Sequence, residues 1–175
     1  ALDSFTAEEK KIAIALAQEE NWYDRAVFSI GSTPTDLQYY SLRFPLHHER
    51  TLREQAKINA LDPSWVAGQT RAESIFMPRT RSGADARGLM QILPGTGAQV
   101  AARLGIPWRG GESLFEPETN IQLGTAYLRQ MLDRYNGFPY QAIAAYNAGP
   151  APISRWLEAR PNLETDFWIE TIPCK

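Results

Sequence analysis

The chain is poor in the residues that build disulfides and metal sites, and it has no long apolar run. Its one cysteine among 175 residues is Cys174, which excludes an internal disulfide and a thiolate metal cluster. The two histidines, His47 and His48, are adjacent and face different directions on a helix, which favours solvated or capping roles over a metal pair. No stretch approaches the roughly 18 consecutive apolar residues that indicate a membrane span. We therefore expect no metal, no cofactor and no integral membrane segment.

A basic surface is missing as well. Lys and Arg total 18 against 20 Asp and Glu, which gives a formal net charge of -2 and a pI near 5.8. Because this balance provides no field that would neutralise phosphates, nucleic acid is a poor candidate partner. The hydrophobic content of 43% suits one domain with a real core, alone or with an appendage.

The sequence is rich in helix signals, and it predicts an all-α fold. Asp62 followed by Pro63 is typical of an N-cap and a first helical residue, and Ile121, Leu128 and Tyr135 fall on one face of a long helix. The turn-rich segment SGADARG is compatible with a short β-hairpin near residues 77–92. The predicted helices cover residues 6–20, 22–30, 47–60, 63–76, 94–104, 117–135, 138–148, 152–159 and 162–172.

Glu73 falls near the end of an apolar predicted helix. If that helix continues, Glu73 shares a face with Phe76 and Met77, and its carboxyl group is desolvated. Desolvation raises the pKa of a carboxyl group, which is the property that a general acid needs at neutral pH. Position alone favours the other alternative, a structural glutamate at a helix end that is half exposed or paired with Arg71 or Arg79.

Small neutral polar residues follow Glu73 along the chain. Ser82, Gln91 and Thr96 stand in turn-rich or helix-starting segments, where they can form hydrogen bonds without adding charge. Such side chains suit a ligand rich in hydroxyl and amide groups, for example an N-acetylated sugar. The glycines among them do not make a phosphate-binding loop, because no GxxxxGK[ST] pattern occurs.

Five ordered blocks carry a resemblance to a known family. RAESIF, RSGADARGLMQILPGTG, FEPETNIQLGTAYLRQML, AYNAGP and IETIP resemble the catalytic domain of the soluble lytic transglycosylases of Gram-negative bacteria, enzymes that cleave peptidoglycan. The resemblance implies a lysozyme-like, goose-type all-α domain over residues 46–175. Residues 1–45 would form the end of a preceding superhelical linker region. It also implies a periplasmic location, peptidoglycan glycan strands as partner and no particular oligomeric state.

The resemblance assigns roles to individual residues. Glu73 would be the sole catalytic acid and then base, and Asn147 a support behind the residues that contact the sugar. For Tyr146 the sequence alone leaves open a buried tyrosine satisfied by the backbone. The residues expected to bind substrate along the cleft are Ser82, Gln91, Leu93, Thr96, Tyr146 and Glu170.

The implied reaction differs from hydrolysis. Glu73 would protonate the glycosidic oxygen between N-acetylmuramic acid and N-acetylglucosamine, and would then deprotonate the sugar's primary hydroxyl, which attacks internally to give a 1,6-anhydro product. Two alternatives stay open: a goose-type lysozyme-like hydrolase, and a non-catalytic glycan-binding module.

The chain departs from the family pattern in three places. Asp85 stands where the family often has glycine, and Leu93 where many members have methionine. The chain also ends at IPCK, where long members continue, so we expect that a C-terminal segment has been removed.

Overall fold

The structure is a computed structural model that describes residues 5–20 and 46–173. Over those residues the fold is helical and no extended strand forms, so the all-α prediction is confirmed. The predicted helix over residues 22–30 lies outside the described residues, as does Cys174, and the division of the chain near residue 45 stays a prediction. The helices are α1 (Ala7–Glu19), α2 (Glu49–Ile58), α3 (Pro63–Ser74), α4 (Pro94–Leu104), α5 (Pro117–Arg134), α6 (Pro139–Ala148), α7 (Pro150–Ala159) and α8 (Thr165–Glu170), with a 3-10 turn over Gly111–Phe115.

Proline marks the start of most of these helices. A proline at the first helical position loses no hydrogen bond, because the amide there has no intrahelical partner. Asp62 caps α3 by accepting from the amides of Ser64 and Trp65 at 2.6 and 3.3 Å. Helix α7 starts at Pro150, two residues before the predicted start at Pro152, because the earlier proline takes the first position.

Helix α3 ends earlier than the predicted end at Phe76. Ile75 and Phe76 both adopt the left-handed backbone region, with φ of 52° and 60°, so the last helical residue is Ser74. The Ser74 hydroxyl donates to the Leu89 carbonyl at 2.8 Å and anchors this helix end to the segment that follows. The chain therefore leaves the helical path directly after Ser74.

Helix α5 passes through both hydrophobic clusters of the core. The first cluster joins α2, α3 and α4 to the segment Leu89–Ile92, and it includes Val66, Leu89 and Leu128. The second joins α5 to α6, α7 and α8 through Met131, Ala145 and Trp168. Trp108 and Trp156 are partly buried and pack against these clusters.

The segment between α3 and α4 is a compact loop. Arg87 forms isolated antiparallel bridges with Arg81 and Ile92, and its amide and carbonyl pair with the Ile92 backbone at 3.0 Å. This turn-rich region therefore contains hairpin-like pairing without a true strand. Gly88, at φ 76°, lies so close to the 3-10 turn and to α5 that a Cβ would be 2.0 Å from the Leu114 carbonyl oxygen and 2.3 Å from Asn120 Nδ2, so only glycine fits.

Candidate active site

A cleft of about 650 Å³ runs between the two halves of the helical core. Helix α3 contributes Glu73, and the loop before α4, helix α4, helix α5 and the C-terminal end of α6 form the remaining walls. Four neutral amide or hydroxyl side chains also line the cleft and were not expected there. They are Gln99, Tyr127, Gln130 and Asn147. The wall residues with polar side chains are Glu73, Ser82, Gln91, Thr96, Gln99, Tyr127, Gln130, Arg134, Tyr146 and Asn147.

Glu73 is the one carboxylate on this wall within the part of the chain that the structure describes. It is half-buried, and burial raises the pKa of its carboxyl group above the ordinary value. Gln69, one helical turn earlier, donates from Nε2 to Glu73 Oε1 at 2.8 Å, which acts in the opposite direction on that pKa. The predicted desolvation of Glu73 is thus confirmed in its direction.

The expected cause of this desolvation was partly wrong. Because α3 ends at Ser74, Phe76 and Met77 do not continue the helical face of Glu73. The apolar side chains that line the same cleft include Met131 on helix α5. Tertiary packing, which a helical wheel cannot show, therefore desolvates the carboxyl group.

Tyr146 lies on the cleft wall with its ring buried. Its hydroxyl donates to the Met90 carbonyl at 2.8 Å. Tyr146 is therefore a buried tyrosine whose hydroxyl bonds to the backbone, which was the alternative left open by the sequence. Burial raises the pKa of Tyr146 well above the ordinary value, and the nearby Glu73 charge adds to the rise. Tyr127 packs on this ring, with centroids 5.2 Å apart. The neutral phenol keeps its oxygen lone pairs for accepting a bond from a ligand.

Ser82 and Gln91 hold their loop together as well as facing the cleft. The Ser82 hydroxyl accepts from the Ala86 amide at 3.0 Å, which leaves its own proton for a ligand. Gln91 donates from Nε2 to the Thr80 and Gly88 carbonyls at 3.1 and 2.9 Å. Both of its N–H bonds are then used, so the Gln91 carbonyl oxygen is the group left for a ligand.

Asn120 supports the loop from behind, and sequence reasoning missed it. It is fully buried at the start of α5, where Oδ1 accepts from the Met90 amide at 2.7 Å. Its Nδ2 donates to the Arg87 and Leu114 carbonyls, each at 2.8 Å. A polar residue next to the apolar stripe that begins at Ile121 was the available signal.

Asp85, the departure from the family pattern, braces the outer part of the loop. It accepts from Arg81 Nε at 2.6 Å and from Arg87 Nε at 2.8 Å, while Arg87 also donates to Glu112 at 2.6 Å. The bond to Arg87 and then that to Arg81 hold the pKa of the Asp85 carboxyl below its usual range. Its φ of 67° lies in the left-handed region, which glycine adopts without steric strain and which aspartate tolerates.

The remaining predicted residues divide between the wall and the outside. Leu93, which precedes α4, and Thr96, in its first turn, both line the cleft. Asn147, expected behind the wall, is exposed on the wall itself. Glu170, the last residue of α8, is exposed and is not part of this wall, so its role in substrate binding stays a prediction.

Charge and metal chemistry at the cleft are simple. Among the described residues, Arg134 is the one cation of the wall and Glu73 the one acid. No group of three or more His, Cys, Asp or Glu that could hold a metal ion occurs in residues 5–20 and 46–173. Over the same residues, no helix has the length and apolar character needed to cross a membrane.

Comparison with known proteins adds family evidence to this geometry. The model of the transglycosylase SLT domain family matches residues 50–169. A soluble lytic murein transglycosylase of Salmonella typhimurium is 33% identical over 160 residues, which cover 90% of this chain and 24% of that protein. A putative soluble lytic murein transglycosylase of Haemophilus influenzae is 34% identical over a region that covers 90% of this chain and 26% of that protein. The chain thus spans about a quarter of the length of these relatives.

Solved structures agree on the fold. An inactive mutant of the lytic transglycosylase Slt from Pseudomonas aeruginosa, in which glutamine replaces a glutamate, is 40% identical and superposes with a TM-score of 0.82. The 70 kDa soluble lytic transglycosylase of Escherichia coli is 28% identical with the same TM-score, and each match covers 98% of this chain and 28% of the other. The expected lysozyme-like fold is therefore confirmed. By its match over most of its length, this chain belongs to the transglycosylase SLT domain family.

Proposed function

We propose that this chain is the catalytic part of a lytic transglycosylase that cleaves the β-1,4 bond between N-acetylmuramic acid and N-acetylglucosamine in peptidoglycan. The observation that carries the proposal is the half-buried Glu73, whose pKa is raised, as the one carboxylate on the described wall of a sugar-sized cleft. Relatives of this chain are called soluble lytic murein transglycosylases. We place its activity in the periplasm on the same family basis.

Glu73 acts first as the acid. Its proton passes to the glycosidic oxygen as the bond from that oxygen to the anomeric carbon breaks, and the positive charge on the muramic sugar is met by its own N-acetyl carbonyl. In this proposal Tyr146 and Ser82 orient this group: the tyrosine oxygen would accept from the acetamido N–H, and the serine hydroxyl would donate.

Glu73 acts next as the base. The carboxylate takes the proton of the primary hydroxyl, whose oxygen bonds to the anomeric carbon and closes the 1,6-anhydro ring. Because the nucleophile belongs to the same sugar, it benefits from the high effective concentration of an intramolecular reaction. Most glycosidases use two carboxylates on the cleft. The described wall of this cleft carries one carboxylate, Glu73. This supports attack by the internal hydroxyl over attack by a water molecule that a second carboxylate activates.

Product analysis tests this proposal. Purified peptidoglycan digested with the chain should release fragments that end in an anhydro sugar, one water lighter than hydrolysed fragments and resistant to borohydride reduction. Glu73→Gln should lower turnover about 10²- to 10⁴-fold, the range for loss of a general acid. Glu158→Gln makes the same change at an exposed position on α7 and should leave turnover intact. In this respect the inactive glutamine mutant of the Pseudomonas enzyme is a precedent.

Three outcomes would contradict the proposal. Reducing muramic ends would indicate the lysozyme-like hydrolase, and glycan binding without any product would indicate a binding module. Full turnover by Glu73→Gln would reject Glu73 as the catalyst.

A further inference from the structure

Gln69 contacts the carboxyl group of Glu73 from a position behind the cleft. It lies one turn earlier on α3, its side chain is 8% exposed, and it is not part of the cleft wall. Its Nε2 donates to Glu73 Oε1 at 2.8 Å, which is a short, well-formed hydrogen bond between residues four apart on a helix. Any influence of Gln69 on a bound sugar therefore passes through Glu73.

This bond distinguishes the two oxygens of the carboxyl group. In a protonated carboxyl group one oxygen carries the proton and the other only accepts. Since the Gln69 amide donates to Oε1, that oxygen takes the accepting role, and Oε2 is left to carry the proton. After the proton has left, the same bond is assisted by the negative charge and becomes stronger.

We propose that Gln69 is a positioning residue that assigns the transferable proton of Glu73 to Oε2 and stabilises the carboxylate that remains after transfer. The inference rests on the proposed function, in which Glu73 serves as acid and then as base. To act as acid and then as base, Glu73 must be able to hold a proton and must also be stable enough as a carboxylate to release it. Gln69 must therefore bind both protonation states of Glu73.

The other charged or titratable side chains on the cleft wall do not duplicate this role. From α6 the neutral Tyr146 approaches with its own proton donated to Met90, and from α5 come Tyr127 and the exposed Arg134. The wall that the loop before α4 contributes carries no charged side chain. Burial raises the pKa of Glu73, and the Gln69 bond is the opposing influence.

The test replaces Gln69 by leucine, which keeps the side-chain volume and removes the donor. We expect the pKa of Glu73, followed by ¹³C NMR of its side-chain carboxyl, to rise by about one unit, because a hydrogen bond to a charged group is lost. The alkaline limb of the rate profile on peptidoglycan should move up with it, and kcat should fall about tenfold while KM changes little. Gln55→Leu, the same change on α2 outside the cleft, is the matched control and should match the wild type.

A second variant guards against misfolding of the first. Gln69→Glu keeps the shape and places a second carboxyl group against Glu73, so the alkaline limb should again move to higher pH. An unchanged Glu73 titration or an unchanged alkaline limb in either folded variant overturns the inference. The NMR titration needs no substrate, whereas product analysis of the wild type decides the proposed function, so the two failures are distinguishable.

Discussion

The loop that carries the cleft residues depends on Asn120, and replacing it by aspartate tests that dependence. The change preserves shape and the acceptor for the Met90 amide. It removes the two N–H donors that now satisfy the Arg87 and Leu114 carbonyls at 2.8 Å. Both carbonyls would then face a carboxyl oxygen at a site where residue 120 is fully buried.

The size of the effect follows from these two bonds. The Arg87 carbonyl keeps its bond from the Ile92 amide at 3.0 Å, so the loss falls mainly on the Leu114 carbonyl. A buried group left without a partner costs about 1–3 kcal/mol, so we expect about 2 kcal/mol less free energy of unfolding. For a domain of this size that corresponds to a fall in Tm of about 4–8 °C. Burial and the facing carbonyls raise the pKa of the new carboxyl group. The stability of the variant is therefore best below the unfolded pKa and declines as pH rises through the raised folded pKa.

Urea denaturation and calorimetry measure this loss. Asn162→Asp introduces the same chemical change at an exposed position and should alter the free energy of unfolding by less than about 0.5 kcal/mol. A loss below about 1 kcal/mol for Asn120→Asp at pH 7 would refute the argument, because the Leu114 carbonyl would then have another partner.

Two further predictions concern the cleft. Below the unfolded pKa the protonated Glu73 contributes its full share of stability, which is lost as pH rises through the raised folded pKa. Calorimetry should therefore show Glu73→Gln melting above the wild type at pH 7, with the gap closing near about pH 4; an equal gap at both would contradict this. Asp85→Gly removes the acceptor for Arg81 and Arg87, while glycine suits the left-handed backbone at this position. Steady-state kinetics should therefore show a severalfold higher KM for peptidoglycan with nearly unchanged kcat. An unchanged KM would show that the Asp85 bonds are dispensable.

Local patterns predicted the helices because local chemistry determines where they begin. Pro63 after Asp62 and Pro117 after Glu116 are first helical residues in the structure. The end of α3 was missed because it depends on Ile75, a β-branched residue in the left-handed region, where local preference opposes the observed backbone. Packing of Phe76 and the bond from Ser74 to Leu89 override that preference.

Several residues of the site were predictable from the sequence, but their connections were not. Glu73, Ser82 and Tyr146 line one cleft as the family resemblance implied. Gln69 could have been found from its spacing of four from Glu73, since that spacing places side chains side by side on a helix. Asn120 and its partners are separated by up to 33 residues, and no periodicity links positions that meet only after the chain has folded.

The loop before α4 has two parts that should tolerate change very differently. Its inner part, from Gly88 to Met90, is fixed in length, because Asn120 spans it and Gly88 touches Leu114. Its tip is exposed, and a side chain added at Gly83 would meet nothing within 4 Å. Diversification of the cleft rim, by natural drift or by a designed library, therefore has room at the tip, where new side chains could alter sugar or peptide preference without disturbing the fold.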